Sequence, residues 1–266
     1  MKKTSLIWGS LILFLFLFPV FVSMTAEGQT AKSPKLVKET SYMVYAANVL
    51  EEESAAQTTG KALLYFTHSH EAYEPMTKAF DGKVAVSHHS ENIMKIGEKL
   101  KSQLDVNGVE TTILPIDIQA QMEKKGIAYG RSYKEIRPYV QKQVKADNYD
   151  FIIDLHRDHL RADRTTIVHN GEKYAKVAFV IGKNNPNYKQ NQAKAKLLKD
   201  EMEKLVPGIT RDFIVKSGVG VDGKYNQDLH PSLLLIELGG IGNAEDELNR
   251  TVSVIGSAAA AVLQNS

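Results

Sequence analysis

The chain has 266 residues, 43% of them hydrophobic and 24% charged, with 33 basic and 31 acidic side chains and a formal net charge of +2. That near balance lacks the basic excess that marks a nucleic-acid binder, so no nucleic-acid partner is expected. The absence of cysteine excludes a disulfide framework, a thiol nucleophile and a Cys-rich zinc site, and leaves His, Asp and Glu as the only strong metal ligands.

Lys2 and Lys3 precede an uncharged run of 19 residues, Leu6 to Met24. That is long enough to cross a bilayer as a helix, and the leading lysines predict that the bulk of the chain lies outside the cytoplasm. Residues 1–24 are therefore expected to be a membrane anchor, or a signal segment that releases a secreted product. The length of the run and the lack of a clean A-x-A site after Met24 favour the anchor. Residues 25–59 are polar and mixed and predict a linker or stalk. Domain signals start at residue 60 and continue to residue 266.

Within 60–266, short apolar runs alternate with amphipathic stretches. Ala62–Thr67, Gly108–Ile116, Phe151–Leu155, Lys176–Ile181 and Leu233–Leu238 have the length and flanks of buried strands. Asn92–Leu104, Tyr133–Val144 and Lys189–Val206 carry apolar residues at helical spacing, the last stopped by Pro207-Gly208. Asn243 is the expected cap of a final helix with Glu245, Asp246 and Glu247 in its first turn. The alternation predicts a single α/β domain: a mostly parallel, mixed central sheet with helices on both faces. In such sheets ligands bind at the carboxyl ends of the strands.

Three apolar runs end in ionisable groups. The first leads into Thr67-His68-Ser69-His70-Glu71, the second into Asp154-Leu155-His156-Arg157-Asp158, and the third into Glu237-Leu238-Gly239-Gly240. Charge delivered by buried strands is costly unless it is paired or binds a metal. Two imidazoles and a carboxylate with an open position describe a catalytic zinc site. His68 and Glu71 share one turn in H-x-x-E spacing, His156 supplies a third ligand, and Glu237 is placed to act as general base. Glu91, at the start of the first amphipathic helix, competes with Glu71 as the carboxylate ligand, and His70 is a substitute imidazole. Arg157 is expected to orient Asp158 or to stabilise a developing oxyanion. His88 and His89 fall in a polar loop that could line the cleft, Tyr129–Tyr133 is a candidate substrate contact, and Tyr225–Asp228 a candidate cleft wall. Each motif alone is weak: a histidine after a strand is more often a satisfied core or surface residue, and Glu237 could be an ion-pair partner for Arg157.

Taken together and in order, Tyr65–Glu71, Asn92–Gly97, Ile153–Asp158, Pro207–Arg211, Tyr225–Leu229 and Ile236–Gly240 resemble the stage II sporulation protein P family of peptidoglycan hydrolases. The resemblance covers the chain from about residue 60 to the end. It implies a zinc N-acetylmuramoyl-L-alanine amidase-like fold, cleavage of the amide between muramic acid and L-alanine and of peptide cross-links, and partners in the sporulation cell-wall machinery. The family's strand motif often reads H-T-H-x-x-E, and here Phe66 replaces the first histidine, which aligns the retained one with His68. The stalk is shorter than the family's. Two other readings stay open: a non-catalytic cell-wall binding module, and a zinc carboxypeptidase or endopeptidase, which shares the H-x-x-E…H ligand pattern.

Overall fold

The structure is a computed structural model that describes residues 59–265. The expected anchor or signal segment, and the expected stalk as far as residue 58, lie outside the described residues. Among the described residues no helix is long and apolar enough to cross a membrane.

A six-stranded sheet organises the domain. Its strands are β1 (Gly60–Tyr65), β2 (Val109–Ile113), β3 (Phe151–Asp158), β6 (Val177–Gly182), β7 (Ile214–Lys216) and β8 (Leu233–Gly240), in the order β2-β1-β3-β8-β6-β7. The first four in that order run parallel; β6 is antiparallel to β8 and parallel to β7. This is the mixed, mostly parallel sheet expected from the sequence. A separate hairpin, β4 (Thr166–His169) with β5 (Glu172–Ala175), comes after a single helical turn, α5 (Ala162–Thr165).

Both faces are covered, and strand alternation decides what each face receives. On one side Ala62, Leu64, Phe151, Ile153, Leu155, Leu234 and Ile236 pack against α2 (Ile93–Val106), α6 (Tyr188–Leu205) and α7 (Glu245–Gln264). On the other, Leu63, Tyr65, Ile152 and Leu233 pack against α3 (Ile118–Lys124) and α4 (Ser132–Ala146). Asp154 and His156 share parity with Ile152, and Glu237 with Leu233, so all three belong to the α3/α4 side.

Helix ends explain the local folding. Asn92 caps α2 by accepting from Met94 N, and Asp117 caps α3 by accepting from Ala120 N at 3.0 Å. Asn243 is not the cap of α7. Its Oδ1 accepts from Gly240 N and from the Thr165 hydroxyl, both at 2.7 Å, and Glu247 accepts the free N–H of Ala244 at 3.2 Å. The side chain that looked like a cap is instead needed to close the turn after β8. The sequence pattern also gives no sign of α1 (Glu74–Asp81), α3, the β4–β5 hairpin and β7. All are short, and none repeats an apolar pattern long enough to show a period.

Gly256 lets α7 cross α2 closely. A Cβ there would stand 2.8 Å from the main-chain oxygen of Gln103. On an open helix Gly→Ala gains roughly 1 kcal/mol; at this crossing the clash with backbone reverses the sign. Gly256→Ala is expected to destabilise the domain by about 1–3 kcal/mol, measured by urea denaturation.

Candidate active site

The site lies where β1, β3 and β8 end. Asp154, fully buried on β3, is its anchor. Its Oδ1 accepts from Thr67 N at 2.9 Å and its Oδ2 from the Thr67 hydroxyl at 2.7 Å. These bonds fix the chain as it leaves β1, so the turn holding His68 and Glu71 starts from a defined point. Asp154 Oδ1 also lies 3.0 Å from His156 Nε2, though not aligned for a hydrogen bond.

Beyond Thr67 the chain turns back, with Glu71 N bonded to His68 O at 3.1 Å. His68 Nδ1 and Glu71 Oε1 are 3.1 Å apart, and Glu71 Oε2 lies 3.5 Å from His156 Nδ1. The main-chain N–H of Arg157 donates to Glu71 Oε2 at 2.9 Å. His68, Glu71 and His156 each offer a ligand atom within 4.8 Å of the others. Glu237 stands beside His156 in the β3–β8 register.

Charge in this cluster is unevenly held. Burial opposes ionisation of Glu71, but His156 and His68 outweigh it and hold the carboxyl below the usual carboxylate range. Burial also opposes charge on His156, yet Asp154 and Glu71 raise it well above an ordinary imidazole. Glu237 goes the other way: burial, with the neighbouring charges of Glu71 and Asp158, overcomes His156 and Arg157 and pushes it up to about 7. Four buried side-chain atoms among the described residues have no hydrogen-bond partner, and two of them, His156 Nε2 and Glu237 Oε2, are here. His156 Nε2 faces Asp154 and its Nδ1 faces Glu71, so the ring presents Nδ1 to the cluster, and the orphaned Oε2 of Glu237 beside a His-Glu-His set fits a site built for a cation and a water.

Glu91 is not part of this cluster. It is buried at the start of α2, and its carboxylate is held by Lys95 at 2.9 and 3.1 Å. His70 is also turned away, toward Asp117. Arg157 takes a different part from the expected one. Its guanidinium donates to the carbonyls of Ala72 at 2.9 Å and Val86 at 2.6 Å, while the Asp158 carboxylate is paired with Arg211 at 2.6 Å. Arg157 therefore braces the loop behind Glu71. Phe66 packs in the core on the opposite face, closely against Gly97.

Aromatic rings form one wall. Tyr129 stacks on His68 at 4.5 Å, and Tyr133 meets His68 edge-on at 5.6 Å and lies parallel to His156 at 6.3 Å. Burial raises both phenols, so they stay neutral. Tyr225 packs on Tyr133 at 5.2 Å. Tyr225 and Asn226 both have positive φ, 51° and 55°, a costly conformation for residues other than glycine. It is held by Arg137, which binds Asn226 at 3.0 Å and Asp228 through two bonds of 2.8 Å, and by Gln227, buried between Gly182 N and Val180 O. Asp154 was not among the residues expected in the site; the D-x-H spacing on one strand, which puts both groups on one face, was the available signal.

The fold is that of amidase-like α/β domains. The CwlD amidase from Clostridioides difficile, solved in complex with the GerS lipoprotein, superposes with a TM-score of 0.51 at 14% identity, covering 77% of this chain and 97% of that one. The family model for stage II sporulation protein P matches residues 22–260, and the chain belongs to that family. It is 37% identical over 207 residues to stage II sporulation protein P of Bacillus subtilis (strain 168). That match takes in 76% of this chain but 52% of the relative, so the chain spans about half the length of the curated protein it resembles.

The Glu237 shift has a stability consequence. Its folded pKa of about 7 exceeds the ordinary 4.5, so between these values the folded state holds a proton that the unfolded chain has lost. Stability from this group is full below about pH 4.5 and is lost as pH rises through 7. Chelator-stripped Glu237→Gln is expected to melt higher than the stripped native chain at pH 8, with the gap closing toward pH 5, as monitored by circular dichroism.

Proposed function

We propose that this chain is a zinc-dependent peptidoglycan hydrolase that cuts the amide between N-acetylmuramic acid and L-alanine. The observation that carries the reading is the convergence of His68, Glu71 and His156 beside the orphaned Oε2 of Glu237. His68, Glu71 and His156 would hold the metal. Bound there, zinc supplies a Lewis acid for a carbonyl oxygen and makes water acidic near neutral pH. Membership of the sporulation family and the amidase-like fold support the choice of bond and a role in sporulation or cell-wall remodelling, with the cell-wall machinery as partner.

The chain's own residues divide the work. Glu237, a buried carboxyl whose proton affinity is raised by burial and by the charge of Glu71, accepts a proton from water at Oε2 and delivers it to the departing amine nitrogen. Asp154 positions His156, and the Arg157 N–H holds one oxygen of Glu71, leaving the other toward His68. Tyr129 and Tyr133 give a flat wall against which a sugar or peptide stem can lie. The apolar run in residues 6–24 would keep the domain at the outer face of the membrane.

A defined muropeptide digested with the full chain and weighed by mass spectrometry tests the reading. Release of intact peptide stems with a free L-alanine amine is expected, abolished by a chelator. Glu237→Gln should lower the rate on the order of 10³-fold with zinc content unchanged, and His68→Ala should lose the zinc. Cleavage between amino acids of the stem would move the enzyme to the endopeptidase class. Full activity of Glu237→Gln would contradict its role.

A further inference from the structure

A second cluster of ligating side chains stands behind the first. His70, His89 and Glu123 each present a ligand atom within 4.8 Å of the others. His70 is 2% exposed; His89 and Glu123 are open to solvent. The imidazoles of His70 and His89 meet edge-on at 4.6 Å.

The backbone around this cluster is fixed on every side. His88 N donates to His70 O at 2.9 Å and Ala72 N to Val86 O at 3.0 Å, which pairs the loop after β1 with the loop before α2. Asn92 Nδ2 donates to the carbonyls of His88 and His89, both at 2.9 Å, so His89 is tied to the cap of α2. On the third side, the Ser69 hydroxyl donates to Asp117 Oδ1 at 2.7 Å and His70 N to Gln119 Oε1 at 2.5 Å. These bonds pin the first turn of α3, and Glu123 lies further along the same helix.

The tautomer of His70 is set as well. Its Nε2 lies 2.9 Å from Asp117 Oδ2, a carboxylate already oriented by Ser69 and Ala120. An imidazole that gives one N–H to such a carboxylate turns the lone pair of its other nitrogen outward, the arrangement that supports metal-bound histidines. That other nitrogen, Nδ1, faces Glu123 Oε1 at 3.6 Å, beyond hydrogen-bonding distance but close to the roughly 3.4 Å edge of a tetrahedral zinc site.

We propose that His70, His89 and Glu123 form a second divalent-metal site, with zinc or a similar borderline ion as its ligand and Asp117 as the carboxylate behind His70. Two imidazoles and one carboxylate leave a position for water. With two of three ligands exposed, this site binds more weakly than a buried one and exchanges with solvent. Its ion clamps three segments together: the turn that carries His68 and Glu71, the loop before α2, and α3. The site is independent of the catalytic reading, since it shares no ligand with it.

The test counts zinc by elemental analysis after the full chain is dialysed to equilibrium against a fixed concentration of zinc chloride, with the zinc of the outer buffer subtracted, and cobalt(II) titration monitored in the visible gives affinity. The native chain is expected to hold two ions. His89→Ala and Glu123→Ala, both exposed substitutions, should each hold one, with the weaker cobalt dissociation constant raised at least tenfold and the melting temperature of the chelated protein unchanged. His156→Ala should keep the weaker ion. A native chain and a His89→Ala variant with the same count and the same affinities would overturn the proposal. A native chain with one ion that His89→Ala loses would uphold this site and contradict the catalytic one.

Discussion

The site depends on the burial of Asp154. A carboxylate with no exposed surface in the centre of a parallel sheet costs several kcal/mol unless its oxygens are bonded. Thr67 meets that need with its N–H and its hydroxyl. The consequence is geometric: the chain leaving β1 is locked to β3 at the point where it must turn. The H-x-x-E turn, the orientation of His156 and the approach of Glu71 all derive from that lock. The rest of the domain, with helices on both faces, keeps this edge dry enough for the lock to hold.

Around that anchor the two glutamates are driven apart. Glu71 sits between two imidazoles and stays ionised, whereas Glu237 faces other negative charge in a buried place and holds its proton to about pH 7. Carboxyl groups separated in this way take different tasks, one holding charge and the other moving a proton. Arg157 serves the first of them from behind. Its main-chain N–H fixes Glu71, and its guanidinium ties the loop whose other end carries His88 and His89.

Much of this was legible in the sequence, for identifiable reasons. β1, β3, β6 and β8 are apolar runs bounded by polar turns, and α2, α4 and α6 are long enough to show a helical period, so the alternation and the sheet class could be read directly. The strand-end rule then brought His68, His156 and Glu237 to one edge. Contacts between residues distant along the chain, or hidden by local pattern, set the rest. Glu91 stays an alternative to Glu71 in the sequence until Lys95 is found on Glu91, one turn away along α2. Arg157 looks free to meet a substrate because nothing local shows that the Ala72 and Val86 carbonyls lie behind it. Asn243 has the residue type of a cap, but its partners, Thr165 and Gly240, are brought to it by tertiary structure. Short elements such as α1 and β7 carry too few residues to declare a period.

The central claim is that His68, Glu71 and His156 hold a catalytic metal with Glu237 beside it. A crystal structure of the zinc-loaded chain with anomalous scattering at the zinc edge tests it most directly. The expected result is a strong peak bonded to His68, Glu71 and His156, with Glu237 outside bonding distance and Glu91 still on Lys95. A peak bonded to Glu91 in place of Glu71, or no peak at this edge of the sheet, would contradict it.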